Sequence, residues 1–108
     1  MANIISSGCT VRNTFSVPVT QEETAVLYVT YQQGGETVIE KSLPDCTWSE
    51  AEKGAEIAVE LSQEETLRLD PNAGVVRIQL RVRTTRGTAI KSNVMTSRTD
   101  ELLKGGVI

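Results

Sequence analysis

The sequence predicts a single all-β domain, and three observations lead to that fold class. The chain has one Phe, one Trp and two Tyr, so its core depends on Val, Ile and Leu, and β-branched side chains favour sheets. Apolar and polar residues alternate with a period of two in several stretches, as they do in half-buried strands. Turn-forming residues recur about every ten residues, which is typical of a β-sandwich or a small barrel.

The first half of the chain predicts an edge strand followed by a hairpin. Residues 11–19 alternate, and Pro18 places that strand at an edge or at its own end because proline lacks a ladder donor. Residues 24–33 are β-branched and aromatic on both faces, which indicates a central strand, and Gly34-Gly35 predicts a tight turn into a partner strand over 36–43. Residues 48–54 are polar and turn-like, with Trp48 covering one end of the core.

The second half predicts three more strands around a short helical turn. Residues 56–62 alternate, and the Ser62-Gln-Glu-Glu65 capping box opens one helical turn. Residues 75–85 have the clearest alternation, and Arg86-Gly87 turns the chain into a returning strand over 88–97. The residues predicted to face the core from the first of these two strands are Val76, Ile78, Leu80 and Val82. Residues 1–10 are predicted to be an N-terminal arm and 99–108 a C-terminal tail of one domain spanning 1–108.

The composition argues against an enzyme and against several classes of partner. Histidine is absent, which removes the commonest general base and the commonest metal ligand. The paired glutamates fall in predicted turns or at a helix start, where local effects favour them. We therefore expect no catalytic, cofactor-binding or metal-binding residues. The net charge of −3 argues against nucleic acid, and no apolar run reaches the roughly 20 residues of a membrane helix.

The two cysteines, Cys9 and Cys46, are predicted to be separate free thiols. The chain opens with Met-Ala-Asn-Ile-Ile, which lacks the charged and apolar regions of a secretion signal. We therefore expect synthesis in the cytoplasm, where thiols stay reduced.

A basic stripe runs through the last two predicted strands. Its members are Arg77, Arg81, Arg83, Arg86, Lys91 and Arg98, with no acidic residue between 75 and 98. These cations either pair across the sheet with glutamates of neighbouring strands (Glu36, Glu40, Glu56 and Glu60), or bind a charged protein partner, or follow phosphates. Nucleic acid is disfavoured because no aromatic residue is interleaved for stacking.

The chain ends and the last strand are predicted to make contacts. The strand over 88–97 carries only one charge, so its edge is weakly defended against pairing. We therefore expect self-association through this edge and through the apolar termini. The candidate partner-binding residues are Ile4, Ile5, Arg77, Arg81, Arg83, Lys91, Val107 and Ile108.

Segments spread over nearly the whole chain resemble a known group of proteins. They include Thr14-Phe15-Ser16-Val17-Pro18, residues 25–32 with Gly34-Gly35, residues 61–66, residues 76–82 and the closing residues 103–108. The chain resembles small proteins encoded in prophages of Gram-positive bacteria near tail and baseplate genes. It is also similar to the N-terminal domain of baseplate upper proteins from lactococcal-type siphophages. The resemblance implies a β-sandwich that joins a virion and has no catalytic activity.

Together these features predict an immunoglobulin-like β-sandwich of six to seven mostly antiparallel strands with one short helical turn. The expected function is that of a non-enzymatic phage or prophage structural protein in the tail or baseplate. Its expected partners are phage structural proteins and further copies of itself, without nucleic acid or membrane. Its expected location is the host cytoplasm and then the virion. The alternative is a cell-surface carbohydrate- or protein-binding module, for which only Trp48, Tyr28 and Tyr31 offer aromatic platforms.

Overall fold

The computed structural model describes residues 3–108, which form two β-sheets around one hydrophobic core. Nine strands are present in this range, against six to seven predicted. Their bounds are β1 (Asn3–Ile5), β2 (Val11–Val17), β3 (Thr24–Gln33), β4 (Glu36–Ser42), β5 (Cys46–Glu50), β6 (Ala55–Leu61), β7 (Val76–Thr84), β8 (Ala89–Lys91) and β9 (Met95–Thr99). The helical parts of the same range are a 3-10 turn (Leu43–Asp45) and the short helix α1 (Gln63–Leu67).

The strands divide into a sheet of six and a sheet of three. The larger sheet has the order β1-β9-β7-β3-β4, with β8 also paired to β7, and the smaller has the order β2-β6-β5. The β1–β9 pair is parallel and the other six described pairs are antiparallel. The predicted all-β, sandwich-like and mostly antiparallel architecture with a short helical turn is therefore confirmed. Within residues 3–108, no helix has the length and hydrophobicity needed to cross a bilayer.

The centre of the larger sheet is the β3–β7 pair, and both strands behave as their sequences predict. Alternate residues of β7 are buried, and β3 is hydrogen-bonded on both sides, to β4 and to β7. The predicted hairpin is present, with φ of 61° at Gly34 and 82° at Gly35. Two successive positive φ values are what a tight turn compatible with strand twist requires, which explains the Gly-Gly pair.

Tyr31 connects the two sheets through the core. Its side chain is fully buried, and its hydroxyl donates a hydrogen bond to Asn13 Oδ1 at 2.7 Å. Tyr31 belongs to β3 and Asn13 to β2, so the bond crosses between the sheets. A buried hydroxyl needs such a partner because leaving it unpaired costs stability.

The predicted capping box begins α1 and also fixes the end of β4. Ser62 Oγ accepts from the Glu65 backbone N–H at 3.2 Å, and Glu65 Oε1 accepts from the Ser62 N–H at 2.9 Å. The same Glu65 oxygen pairs with Lys41 Nζ at 2.8 Å. One carboxylate thus ties the start of the helix to an edge strand of the larger sheet.

Part of the N-terminal arm predicted over 1–10 is a strand of the larger sheet. Residues 3–5 form β1, which covers the edge of β9, and the Ile5 side chain is only 1% exposed. Thr99 Oγ1 donates to the Ile5 carbonyl at 2.9 Å, and the Ser7 N–H donates to Asp100 Oδ1 at 2.8 Å. The chain closes its own edge because β9 offers unpaired backbone groups. Residues 1 and 2 of the predicted arm lie outside the described residues.

Two other elements differ from the prediction. Residues 46–50 form strand β5, where a polar turn was expected from residue 48 onwards. The return over 88–97 is divided into β8 and β9 because the Ser92 side chain interrupts the ladder: Ser92 Oγ accepts from the Leu80 N–H at 3.0 Å. The C-terminal tail predicted over 99–108 is irregular after Thr99.

Candidate interaction surface

The outward side of the six-stranded sheet carries most of the basic stripe. On β7, Val76, Ile78, Leu80 and Val82 are buried, so the alternating residues between them point outward. Lys91 on β8 is the cross-strand partner of Arg81 and therefore lies on the same side. We call this outward side the cationic face; its positively charged residues are Arg77, Arg81, Arg83, Lys91 and Arg98, and all of them are exposed.

Arg98 and Ile4 belong to the same face through the terminal strands. Thr96 is the partner of Arg77, so Arg98, two residues further along β9, also points outward. Ile4 is the register partner of Arg98 and is 62% exposed. Ile4 thus remains a candidate contact residue. Ile5 does not, because it is buried in the core of its own molecule.

Strand β3 places an aromatic residue among the cations. Tyr28 is the cross-strand partner of Arg81 and is 44% exposed. The sequence-based premise that no aromatic residue is interleaved with the stripe is therefore wrong. The alternation along β3 could have indicated this, because Tyr28 lies between the buried Leu27 and Val29 and therefore points outward.

The cations of this face have no carboxylate partners among the described residues, where the one ion pair is Lys41–Glu65. The proposed cross-strand pairing with glutamates is wrong for Glu56 and Glu60, which lie on β6 in the other sheet. Glu36 pairs in register with the buried Gln33, on the inward side.

Glu40 is the one predicted partner that points to the same side of the sheet as the cationic face. It is the register partner of Thr30, and its Oε2 accepts a hydrogen bond from Thr30 Oγ1 at 3.3 Å. The strands of this face therefore present five cations and one carboxylate, although the whole chain is acidic.

Two shallow grooves lie on this face and share Arg81. One, of about 440 Å³, runs between β7 and β4 and is lined by Thr30, Gln32, Thr37, Glu40, Arg77, Ile78, Gln79, Arg81 and Val94. The other, of about 350 Å³, is lined by Val26, Tyr28, Arg81, Val82, Arg83 and Ala89. Arg81 thus stands between a polar groove and a more apolar one that contains the exposed tyrosine.

The C-terminal candidates lie elsewhere. Val107 and Ile108 are exposed, and the Ile108 backbone is held by the side chain of Gln63 on α1. The Ile108 N–H donates to Gln63 Oε1 at 2.8 Å, and Gln63 Nε2 donates to the Ile108 carbonyl at 3.3 Å. The structure therefore does not join these residues to the strands of the cationic face.

The remaining aromatic platforms and the thiols are also placed by the structure. Tyr31 is buried, and burial raises the pKa of its hydroxyl well above the ordinary value of 10.0. Trp48 is half-buried, and its buried Nε1 has no partner in the described residues.

Cys9 and Cys46 are free thiols, as predicted. Burial, reinforced by Asp45, raises the pKa of the Cys46 thiol.

No protein-family model matches this chain, and no curated protein matches it significantly.

Proposed function

We propose that this protein is a non-enzymatic structural component of a phage or prophage tail or baseplate, and that it acts through protein–protein contacts. The observation that carries the proposal is the cationic face, where five exposed basic side chains have no carboxylate partner among residues 3–108. Arginine and tyrosine are enriched at protein interfaces and dominate their binding energy. Arg81 beside the exposed Tyr28 is such a pair.

The size and stiffness of the face support the same proposal. The strands of this sheet together contain 37 residues, and at about 3.4 Å per residue and about 4.8 Å between strands they give a surface of roughly 600 Å². A standard interface buries about 800 Å² on each partner. The face is also built on β3 and β7, the two central strands, so little ordering of the chain is needed when a partner binds.

The experiment is mass spectrometry on particles purified from a strain that carries the gene. The proposal requires this chain in tail or baseplate fractions at a fixed copy number, after synthesis in the host cytoplasm. Incorporation of the wild type should be compared with that of an Arg81→Glu/Arg83→Glu variant, with Arg68→Glu as the control. Arg68 is exposed at the end of α1, outside the cationic face. Particles without the chain, or equal incorporation of both variants, would overturn the proposal.

A second candidate function is a cell-surface carbohydrate- or protein-binding module. The observation that favours it is the exposed Tyr28 at a groove, since an aromatic ring beside polar groups is a common way to hold a ligand. A glycan array distinguishes the two functions. Binding that Tyr28→Ala removes, while particles lack the chain, would favour this second candidate.

A further inference from the structure

We propose that the partner of the cationic face is a second copy of this chain, which presents the outward side of its three-stranded sheet. This inference rests on the proposed function as an interaction-making part and names the partner and the orientation. We call the outward side of the three-stranded sheet the acidic face. Its carboxylates are Glu56 and Glu60 on β6.

The distribution of charge favours a contact between unlike faces. Five cations and one carboxylate give the strands of the cationic face a charge of +4, so a chain with a net charge of −3 carries −7 elsewhere. Two cationic faces repel each other, which disfavours a two-fold symmetric contact through this surface. A head-to-tail contact brings the +4 face against the acidic face, where Glu56, Glu60 and the neighbouring Arg12 give a charge of −1.

The acidic face is shaped to receive side chains from a partner. Ile57 and Val59 point into the core, so alternation along β6 turns Glu56, Ala58 and Glu60 outward; the two glutamates are exposed, whereas Ala58 is only 8% exposed. The residues beside Glu56 and Ala58 on β2 and β5 are short; they are Thr14, Ser16, Thr47 and Ser49. Arg12 is the register partner of Glu60, yet neither glutamate is ion-paired within the described range. Both carboxylates are therefore accessible; Glu56 has short neighbours, and Glu60 has Arg12 beside it.

The spacing of the charges matches between the two faces. Glu56 and Glu60 are four residues apart on one side of β6, and Arg77 and Arg81 are four residues apart on one side of β7. At about 3.4 Å per residue, each pair spans roughly 13–14 Å. Both arginines therefore meet both carboxylates at once when the two strands align. Guanidinium–carboxylate contacts are strong because two parallel hydrogen bonds form.

The residues between the charges are also compatible. Gln79 lies between the two arginines, and Ala58 lies between the two glutamates. A long polar side chain thus faces a short one, so the two surfaces can approach without a clash at the centre.

The two faces lie on opposite sides of the sandwich, so one contact leaves a free face on each copy. Repeating such a heterologous contact builds a ring if it closes and an open stack if it does not. Because the contact is between exposed charges, salt should weaken it.

Sedimentation velocity on the full-length chain tests this at low salt and again near 0.5 M salt, where the screening length is only about 4 Å. The wild type should form oligomers at low salt and dissociate at high salt. Arg77→Gln/Arg81→Gln, which removes the two cations aligned with the glutamates and leaves the acidic face unchanged, should be monomeric. Glu56→Gln/Glu60→Gln, which neutralises only the acidic face, should also be monomeric. Arg68→Gln, the control outside both faces, should behave as the wild type.

The decisive step is to mix the two double variants. The arginine variant retains an intact acidic face, and the glutamate variant retains an intact cationic face. The mixture should therefore form a dimer with one copy of each variant and nothing larger. A wild type that is monomeric at low salt, a double variant that still forms oligomers, or a mixture without dimer would overturn the inference. So would a monomeric wild type that binds single-stranded DNA through Arg77 and Arg81. If the monomeric protein is still found in particles, the proposed function stands and only the self-association fails.

Discussion

Substituting Gly54 with alanine should destabilise the fold more than the same substitution at Gly35. Gly54 lies in the turn between β5 and β6 with φ of 78°, and Gly35 lies in the β3–β4 turn with φ of 82°. A Cβ at Gly54 would collide with the Val17 carbonyl oxygen and the Pro18 backbone, whereas a Cβ at Gly35 would meet nothing within 4 Å. The two sites thus share the backbone strain and differ in the collision.

The magnitude follows from these two contributions. A left-handed backbone costs a non-glycine residue about 1–2 kcal/mol, and alanine recovers about 0.4–1 kcal/mol by restricting the unfolded chain. Gly35→Ala should therefore cost about 0.5–1 kcal/mol in unfolding free energy. The collision at Gly54 adds about 1–3 kcal/mol because the atoms met are backbone atoms of β2 and Pro18, which move only with their strand. We expect Gly54→Ala to lower the free energy of unfolding by about 1.5–4 kcal/mol.

Urea unfolding followed by far-ultraviolet circular dichroism measures both variants against the wild type. This signal reports on the sheets and does not depend on Trp48, which lines the same groove as Gly54. The m-values should stay equal, so that the shift in midpoint reports stability alone. Equal decreases in unfolding free energy for Gly54→Ala and Gly35→Ala would refute this reasoning. They would show that the close approach of the β5–β6 turn to β2 does not require a glycine at position 54.

Three further predictions concern the core, the helix cap and the thiols. Leu80→Ala should lower the free energy of unfolding by about 2–5 kcal/mol because Leu80 is buried, whereas Arg81→Ala should lower it by less than about 0.5 kcal/mol. Equal decreases for the two variants in urea unfolding would contradict the alternation of β7. Burial alone would raise the pKa of Glu65, but hydrogen bonds from a lysine and from the capping serine outweigh it and lower the pKa from 4.5. Ionised Glu65 therefore contributes fully to the free energy of unfolding above pH 4.5, and this contribution is lost as the pH falls through the lower pKa of the folded state. Glu65→Gln should flatten the dependence of unfolding free energy on pH in that range. An unchanged dependence would contradict this prediction. Cys9 should react with a thiol reagent faster than Cys46, whose pKa is raised; equal rates in the native protein would contradict that order.

Local sequence patterns determined the elements whose determinants are local. The Gly34-Gly35 turn, the Ser62–Glu65 capping box and the alternation of β7 are all present as predicted. Each depends on residues a few positions apart, since a turn needs positive φ, a cap needs a side-chain acceptor, and a half-buried strand needs a period of two. The all-β class followed from the same signals repeated along the chain.

The terminal strand β1 shows what local patterns omit. Residues 3–5 are too few to show a period, and their partner β9 is more than ninety positions away in the sequence. Nothing local to Ile4 and Ile5 indicates that one is exposed and the other is in the core. The break between β8 and β9 is similar, because it depends on Ser92 bonding to the backbone of Leu80 in a neighbouring strand.

The candidate surface was determined partly by sequence and partly by tertiary structure. The sequence by itself determined that Arg77, Arg81 and Arg83 share one side of a strand, because alternation along a strand is a local property. Only the tertiary structure decided which residues face them: strand order places Tyr28 and Lys91 beside Arg81 and puts Glu56 and Glu60 on the other sheet. Strand order depends on packing between distant segments, and a one-residue change in register would move a whole set of side chains to the opposite face.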